Sequence, residues 1–453
     1  MAREDVGENL LRRELGVVLG SLVVINATIG TGIFKTPARV ARLAGTLPAS
    51  LAVWAIGGVI AVRGALTLAE LCAAMPRAGG LYEYLRRAYG PRVAFMLGWT
   101  RLTLLIPSAT GSFARLGAES LASAMGMTPD PQRETGMAAG ILALCALASV
   151  RGVRSSVSAQ GAITAVKYVG VVALALVGML VTPTFTLPPV TGTLPTFHAE
   201  STWTGVFAAL VGVMWAYDGW ADLSFLAGEV KNPERTLPRA LVTGTVAICA
   251  VYLAVTIGYA RVLGIDGLRV ATTGSNMAAA RLAESTLGGH GRTALSVLVL
   301  VSCVGACLSS LTTGARMFVP MASDGLFVRW LGVVSPRTGA PARAVVVMSV
   351  LGGLYLSSRT FEQLTEAFVV GYFPFYALAV VSVFVLRRKE PALARPFRVP
   401  GYPVVPLVFL FGAAVLMMGA LSDADRTAWF AFGVLALGFP LSFVWKRAES
   451  VRT

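Results

Sequence analysis

A chain of 453 residues with 55% apolar and 13% charged residues falls well short of the roughly 25% charge of a soluble globular protein. That balance excludes a soluble enzyme and points to a protein embedded in a bilayer. The net charge of +15 is scattered over short loops with no folded domain beneath it, so orientation and contact with anionic lipid account for it better than nucleic acid does.

A spanning helix needs roughly 20 mostly apolar residues. Such runs occur at 15–43, 47–74, 91–125, 135–152, 157–182, 203–229, 237–263, 291–320, 341–358, 361–386, 403–421 and 427–446. The expected fold is therefore an all-α membrane protein with 12 transmembrane helices. The first fourteen residues, MAREDVGENLLRRE, are charged and lack the apolar core and small-residue cleavage site of a removable signal. They read as an N-terminal tail before helix 1. If the 38 basic residues are assigned to alternate sides of the twelve spans, 24 fall on one side, 10 on the other and four remain at membrane depth. The excess marks the cytoplasmic side and places both termini there. The segment 183–202 carries no Lys or Arg and falls on the outer side.

Helix 1 contains NATIGTGIF, residues 26–34, with Gly30 and Gly32 around Thr31 in mid-span. Irregular backbone at membrane depth is tolerated only where protein or a water-filled cavity satisfies the freed N–H and C=O groups. Lys35 follows directly, and Arg63 in helix 2 and Arg101 in helix 3 also lie at membrane depth. A buried charge is either functional or a structural tie between helices, and the sequence leaves that choice open for Arg63 and Arg101. In helix 5, Lys167 sits about ten residues in, too deep to snorkel. Only five of the 38 basic residues are lysine, and an ammonium sits among carbonyls as a bound cation would, which a planar guanidinium cannot.

Helix 6 contains WAYDGWADL, where Asp218, Gly219 and Asp222 again interrupt a span. Two discontinuous helices five apart are the mark of inverted-repeat transporters, with substrate held between them near the midplane. The outer half of helix 1 would offer N–H groups and a positive dipole end to a carboxylate, and freed carbonyls would receive an ammonium. A free amino acid presents both. Asp218 reads as a cap at the break in preference to a selector of cationic side chains. Further on, 274–289 reads as a short outer helix. The five cysteines all fall in apolar runs, and His198 and His290 fall in connecting segments, so neither a metal centre, a cofactor nor histidine-based catalysis is expected. HExxH and GxSxG signatures are absent.

The segments GTGIF, AELCAAMPRAGGLYEYL, YDGW with EVKNPERTLPRA, GARMFVPMASDGLF and RPFRVPGYPVVP resemble, in order, those of the amino acid, polyamine and organocation transporters, and within them the L-amino acid transporter branch. The resemblance implies a LeuT-type 5+5 inverted repeat with broken helices 1 and 6 and alternating access. The first repeat would span 15–182 and the second 203–386, with helices 11 and 12 over 403–446 and a cytoplasmic tail over 447–453. By position it implies that the N–H groups of Thr31, Gly32 and Ile33 face the substrate carboxylate and that carbonyls near Ile25 and Tyr217 face the amine. Tyr217 and Trp220 would be gate or wall residues. Tyr259 would bond near the helix 1 break, with Tyr252 on a neighbouring face. Lys167 would occupy the place of a sodium ion. The expected function is sodium-independent carriage of neutral L-amino acids across the inner (cytoplasmic) membrane, by exchange or with protons. A carrier of cationic amino acids or polyamines and a sensor without transport stay open, as do a partner subunit and a homo-oligomer.

Overall fold

The computed structural model describes residues 15–77, 79–151, 153–180, 202–271, 277–422 and 426–450. The N-terminal tail, residues 183–201 with His198, and the last three residues of the C-terminal tail lie outside them.

Among the described residues the apolar runs form sixteen α-helices, with glycine and proline at many of the interruptions. The first run is two helices, α1 (Val17–Thr28) and α2 (Gly32–Ala44), bent by 50° at the intervening residues. In α3 (Leu47–Ala74), Thr46 caps the start by accepting the Ala49 N–H. The short α4 (Leu81–Tyr89) precedes α5 (Pro91–Thr100), which continues through a π turn, Arg101–Leu105, into α6 (Ile106–Ala124). Proline explains this irregularity. Pro107 has no N–H for the Thr103 carbonyl four residues back, and the Tyr355 hydroxyl donates to that carbonyl instead, at 2.6 Å. Nearby, the Ile106 N–H reaches back five residues to the Arg101 carbonyl.

Helices α7 (Pro131–Arg151) and α8 (Val153–Leu180) follow, then α9 (Thr202–Tyr217). The sixth run stops there, turns at Asp218–Ala221 and resumes as a 3-10 helix, Asp222–Glu229. The turn needs Gly219 at φ 116°, a conformation closed to residues with a Cβ. Helix α10 (Pro233–Val270) bends at Gly264, and α11 (Ala278–Arg316) at Gly288, both at φ 66°. The Gly288 bend sets the expected short helix at an angle to the long one, and His290 lies just past it. Then come α12 (Phe318–Ser323), α13 (Ala342–Ser358), α14 (Phe361–Lys389), α15 (Val404–Ser422) and α16 (Arg426–Ser450). Thr360 and Gln363 form a reciprocal capping box at the start of α14, and Arg387, Arg388 and Lys389 face its negative dipole end.

Among the described residues eight helices are long and apolar enough to span a bilayer, and the bent pair α1–α2 makes nine. Two of the other runs give shorter apolar helices, Ala165–Leu180 and Ala342–Ser358, and α9 stops after 16 residues because the turn at Gly219 cuts its run short. The chain is an all-helical, multi-pass membrane protein. Large apolar side chains on its perimeter, such as Phe411, Leu144 and Leu180, are exposed in a way that lipid accounts for.

The broken helices lie inside. Helix α1 packs on α10, α2 on α9, α10 on α3 and α8, and α6 on α11. Gly178 and Gly258 face each other where α8 crosses α10, the close approach that small residues permit in membranes. Leu15, just before α1, and the residues after the 3-10 helix are tied by a short parallel bridge, Leu15 N–H to Glu229 O and Lys231 N–H to Leu15 O. At the end of α3, Glu70 is 1% exposed. It accepts two hydrogen bonds from Arg387 (2.9 and 2.6 Å) and one from the Val399 N–H (2.8 Å), pinning α14 and the segment before α15 to α3.

Candidate functional site

The break in helix 1 exposes backbone groups, and their partners define the site. Ending α1 at Thr28 leaves carbonyls without helical donors. Buried side chains from three other helices supply them. Lys167 of α8, fully buried, donates to the Asn26 carbonyl at 3.2 Å and to its side-chain oxygen at 3.1 Å. Tyr252 of α10 donates to the Thr28 carbonyl at 3.0 Å. Ser302 of α11 donates to the Gly30 carbonyl at 3.3 Å. On the other side of the break, α2 starts at Gly32 with Thr31 as its N-cap. The first N–H groups of that helix have no acceptor within it, and its positive dipole end points into the break.

The two breaks interlock. A Cβ at Gly32 would overlap the Ala216 backbone of α9, and a Cβ at Gly219 would meet the Ala27 carbonyl carbon and the Thr28 nitrogen. Only glycine lets the two irregular segments touch. Between them lies a cavity walled by Ala27, Thr28, Gly30, Thr31 and Gly32 from the first break and by Asp218, Gly219 and Asp222 from the second. Phe113, Trp215 and Phe368 form an aromatic wall; Trp215 lies 5.6 Å from Phe113 and 5.0 Å from Phe368, centroid to centroid. Its indole N–H donates to the Thr31 hydroxyl at 3.2 Å. Arg101, Tyr372, Ser310 and Thr313 complete the polar lining.

Of the residues singled out in the sequence, Gly30, Thr31, Gly32, Asp218 and Gly219 line this cavity. Lys167 of α8 is not among its lining residues and bonds the end of α1. Ile25, Ile33, Tyr217 and Trp220 are not among its lining residues. The Ile25 carbonyl is one turn back and accepts the Ile29 N–H at 2.8 Å, while the carbonyls beside the cavity belong to Ala27 and Thr28. Ile33 is fully buried in α2. The Tyr217 hydroxyl donates to the Trp54 carbonyl of α3, and its ring stacks on Tyr252. Trp220 stacks on Tyr376 at 4.8 Å and meets Phe409 of α15 edge-on. The rings of Tyr217 and Trp220 thus pack between helices. Tyr259 donates to the Ile33 carbonyl at 3.4 Å, and Tyr252 makes the shorter bond at the break itself. Lys35 bonds Glu119.

Trp215, Phe113 and Phe368 carried no sequence signal. An aromatic in an apolar span looks like any wall residue, and the partner that distinguishes Trp215 lies 184 residues away.

A family model described as amino acid permease matches residues 15–439. The serine/threonine exchanger SteT of Bacillus subtilis (strain 168) is 26% identical over 445 residues, covering 98% of this chain and 99% of that protein. The human cystine/glutamate transporter is 27% identical over 449 residues, 96% of this chain and 86% of that one. The mouse b(0,+)-type amino acid transporter 1 is 26% identical over 430 residues, 92% and 84%. With the family model covering nearly the whole chain, and relatives that are transporters and not enzymes, the protein belongs to the amino acid permease family.

Proposed function

We propose that the protein carries neutral L-amino acids across the cytoplasmic membrane by alternating access and without sodium. The substrate carboxylate sits at the N-terminus of α2, against the N–H groups at Thr31, Gly32 and Ile33. Its ammonium meets carbonyls at the end of α1. The observation that supports this most directly is the Lys167 ammonium on the Asn26 carbonyl. A fixed cation holds the end of α1 where a bound metal cation would otherwise be needed to neutralise converging carbonyls.

In the same reading the chain has twelve spans arranged as a 5+5 inverted repeat, helices 1–5 against 6–10, with both termini cytoplasmic. The breaks at Gly30–Thr31 and Asp218–Ala221 then occupy equivalent places in the two halves. The presence of a serine/threonine exchanger among the relatives favours exchange over net uptake.

Counterflow in proteoliposomes tests the reading. Vesicles preloaded with an unlabelled neutral L-amino acid should accumulate the labelled one when choline replaces sodium. Accumulation that requires sodium, or uptake confined to cationic amino acids or polyamines, refutes it. Saturable binding with no uptake would identify a sensor.

A further inference from the structure

Arg101 is a guanidinium that the amino acid backbone does not need. It sits at the first residue of the π turn between α5 and α6, a distortion found often at functional sites, and is 3% exposed. Its Nη1 donates to the Tyr372 hydroxyl at 3.0 Å, and its guanidinium lies 4.4 Å from the Phe225 ring centroid. Its Nε has no hydrogen-bond partner. A buried, unpaired guanidinium donor costs stability unless a ligand uses the site. The side chain lines the same cavity as the broken helices, together with Asp218 and Asp222. Asp218 accepts the Tyr376 hydroxyl at 2.7 Å, and both carboxylates are only half-buried, open to the cavity.

We propose that Arg101, with Asp222 and Asp218, is a side-chain subsite that selects neutral amino acids bearing a hydrogen-bonding side chain, a hydroxyl or carboxamide. The inference rests on the backbone of the substrate being held at the helix 1 break, as above. The signs of the charges exclude the other classes. A cationic side chain would meet the Arg101 guanidinium, an anionic one would meet two carboxylates, and like charges at close quarters repel. An apolar side chain would fill the space and leave donor and acceptors unpaired. A hydroxyl or carboxamide both donates and accepts, so it alone satisfies the two signs at once.

The isosteric pair threonine and valine tests this. Initial uptake of radiolabelled L-threonine and L-valine is measured in the same proteoliposomes, with L-lysine and L-glutamate alongside. The threonine-to-valine ratio does not depend on how much protein is folded. The wild type should favour threonine at least about tenfold, since sites built around a hydroxyl reject the analogue that lacks it far more strongly than apolar pockets discriminate by size. Arg101→Leu and Asp222→Asn should each lower the ratio about tenfold or more, while Arg101→Lys, which keeps the charge, should retain part of it. Where a variant inserts but does not transport, calorimetric binding of the two amino acids to purified protein reads the same ratio. A wild-type ratio near one, a wild-type preference for lysine or glutamate, or an unchanged ratio in Arg101→Leu overturns the proposal. Gly32→Val separates it from its foundation. If that variant still transports, the helix 1 reading is wrong, while the threonine-to-valine ratio in the wild type and in Arg101→Leu judges the subsite alone.

Discussion

The Nζ of Lys167 lies 3.2 Å from the Asn26 carbonyl oxygen and 3.1 Å from the Asn26 side-chain oxygen, so one residue of α8 holds the end of α1 through two contacts. A lysine can do this because its ammonium is compact and has three donors. Lys167→Ala removes the charge, leaves the Asn26 carbonyl without its donor, and should insert normally but lose at least about tenfold in transport. Lys167→Arg should not restore activity, since the planar fork does not fit the space of an ammonium between two oxygens. Uptake with choline in place of sodium checks both; full activity of Lys167→Ala would remove the residue from the mechanism.

Gly32 and Ala216 make the second contact on which the site depends. Because a Cβ at position 32 would overlap the α9 backbone and not a movable side-chain tip, Gly32→Val should force the two broken helices apart. The loss of binding should exceed about tenfold, with the protein still inserted and monodisperse. Gly30 is the control. A Cβ there would lie 3.4 Å from the edge of Phe113, a ring that can give way, so Gly30→Ala should cost several-fold less. Equal losses at the two positions would show that helix flexibility matters and not the contact.

Both interruptions were legible in the sequence, because glycine at membrane depth has so few explanations and because two breaks five spans apart share one. Lys167 was legible for a similar reason, as a rare lysine in a chain that otherwise uses arginine. What the sequence left obscure was direction. Tyr217 and Trp220 stand on either side of Asp218 and Gly219, but Asp218 and Gly219 line the cavity while the two rings pack against Tyr252 and Tyr376. Tyr252 bonds beside the break as well as the expected Tyr259. Seven residues are almost two full turns, so both lie on one face of α10 about 10 Å apart along it, and each reaches a different side of the same break.

That spacing carries its own prediction. Tyr252 donates at 3.0 Å to the Thr28 carbonyl and Tyr259 at 3.4 Å to the Ile33 carbonyl, and both rings are fully buried. Removing a buried donor costs about 1–3 kcal/mol when it leaves the acceptor unpaired. Tyr252→Phe should therefore lower thermal stability and affinity more than Tyr259→Phe, whose longer bond contributes less. The thermal midpoint of each variant in detergent, with and without substrate, decides the order.

On the far side of the cavity from Arg101, Lys35 gathers three helices. Its Nζ is 3.1 Å from Glu119 at the end of α6 and 3.5 Å from Glu362 in the first turn of α14, and it lies 4.7 Å from the Phe361 ring centroid. One turn further along α2, Arg39 faces Glu366 at 3.8 Å. Along α14, Glu362 and Glu366 precede the cavity residues Phe368 and Tyr372, and the proposed orientation puts that end of the helix outside. In the proposed alternating-access cycle α2 leaves α6 and α14 at this end, and Lys35 then releases two carboxylates each time. The Lys35 side chain is only 21% exposed, so the pairs are screened less than at an open surface; even so, each contributes on the order of 1 kcal/mol. Lys35→Met should therefore shift the population toward the outward-open state by a factor of about 5–30. Backbone hydrogen exchange over residues 32–42 should accelerate by that factor, and exchange at the Leu15–Lys231 bridge, at the opposite end, should not. Glu119→Gln should act in the same direction, and the double variant should fall short of the sum of the two, as expected when two substitutions break one contact. Unchanged exchange over 32–42 in Lys35→Met, or strict additivity with Glu119→Gln, would reduce the cluster to a static tie between helices.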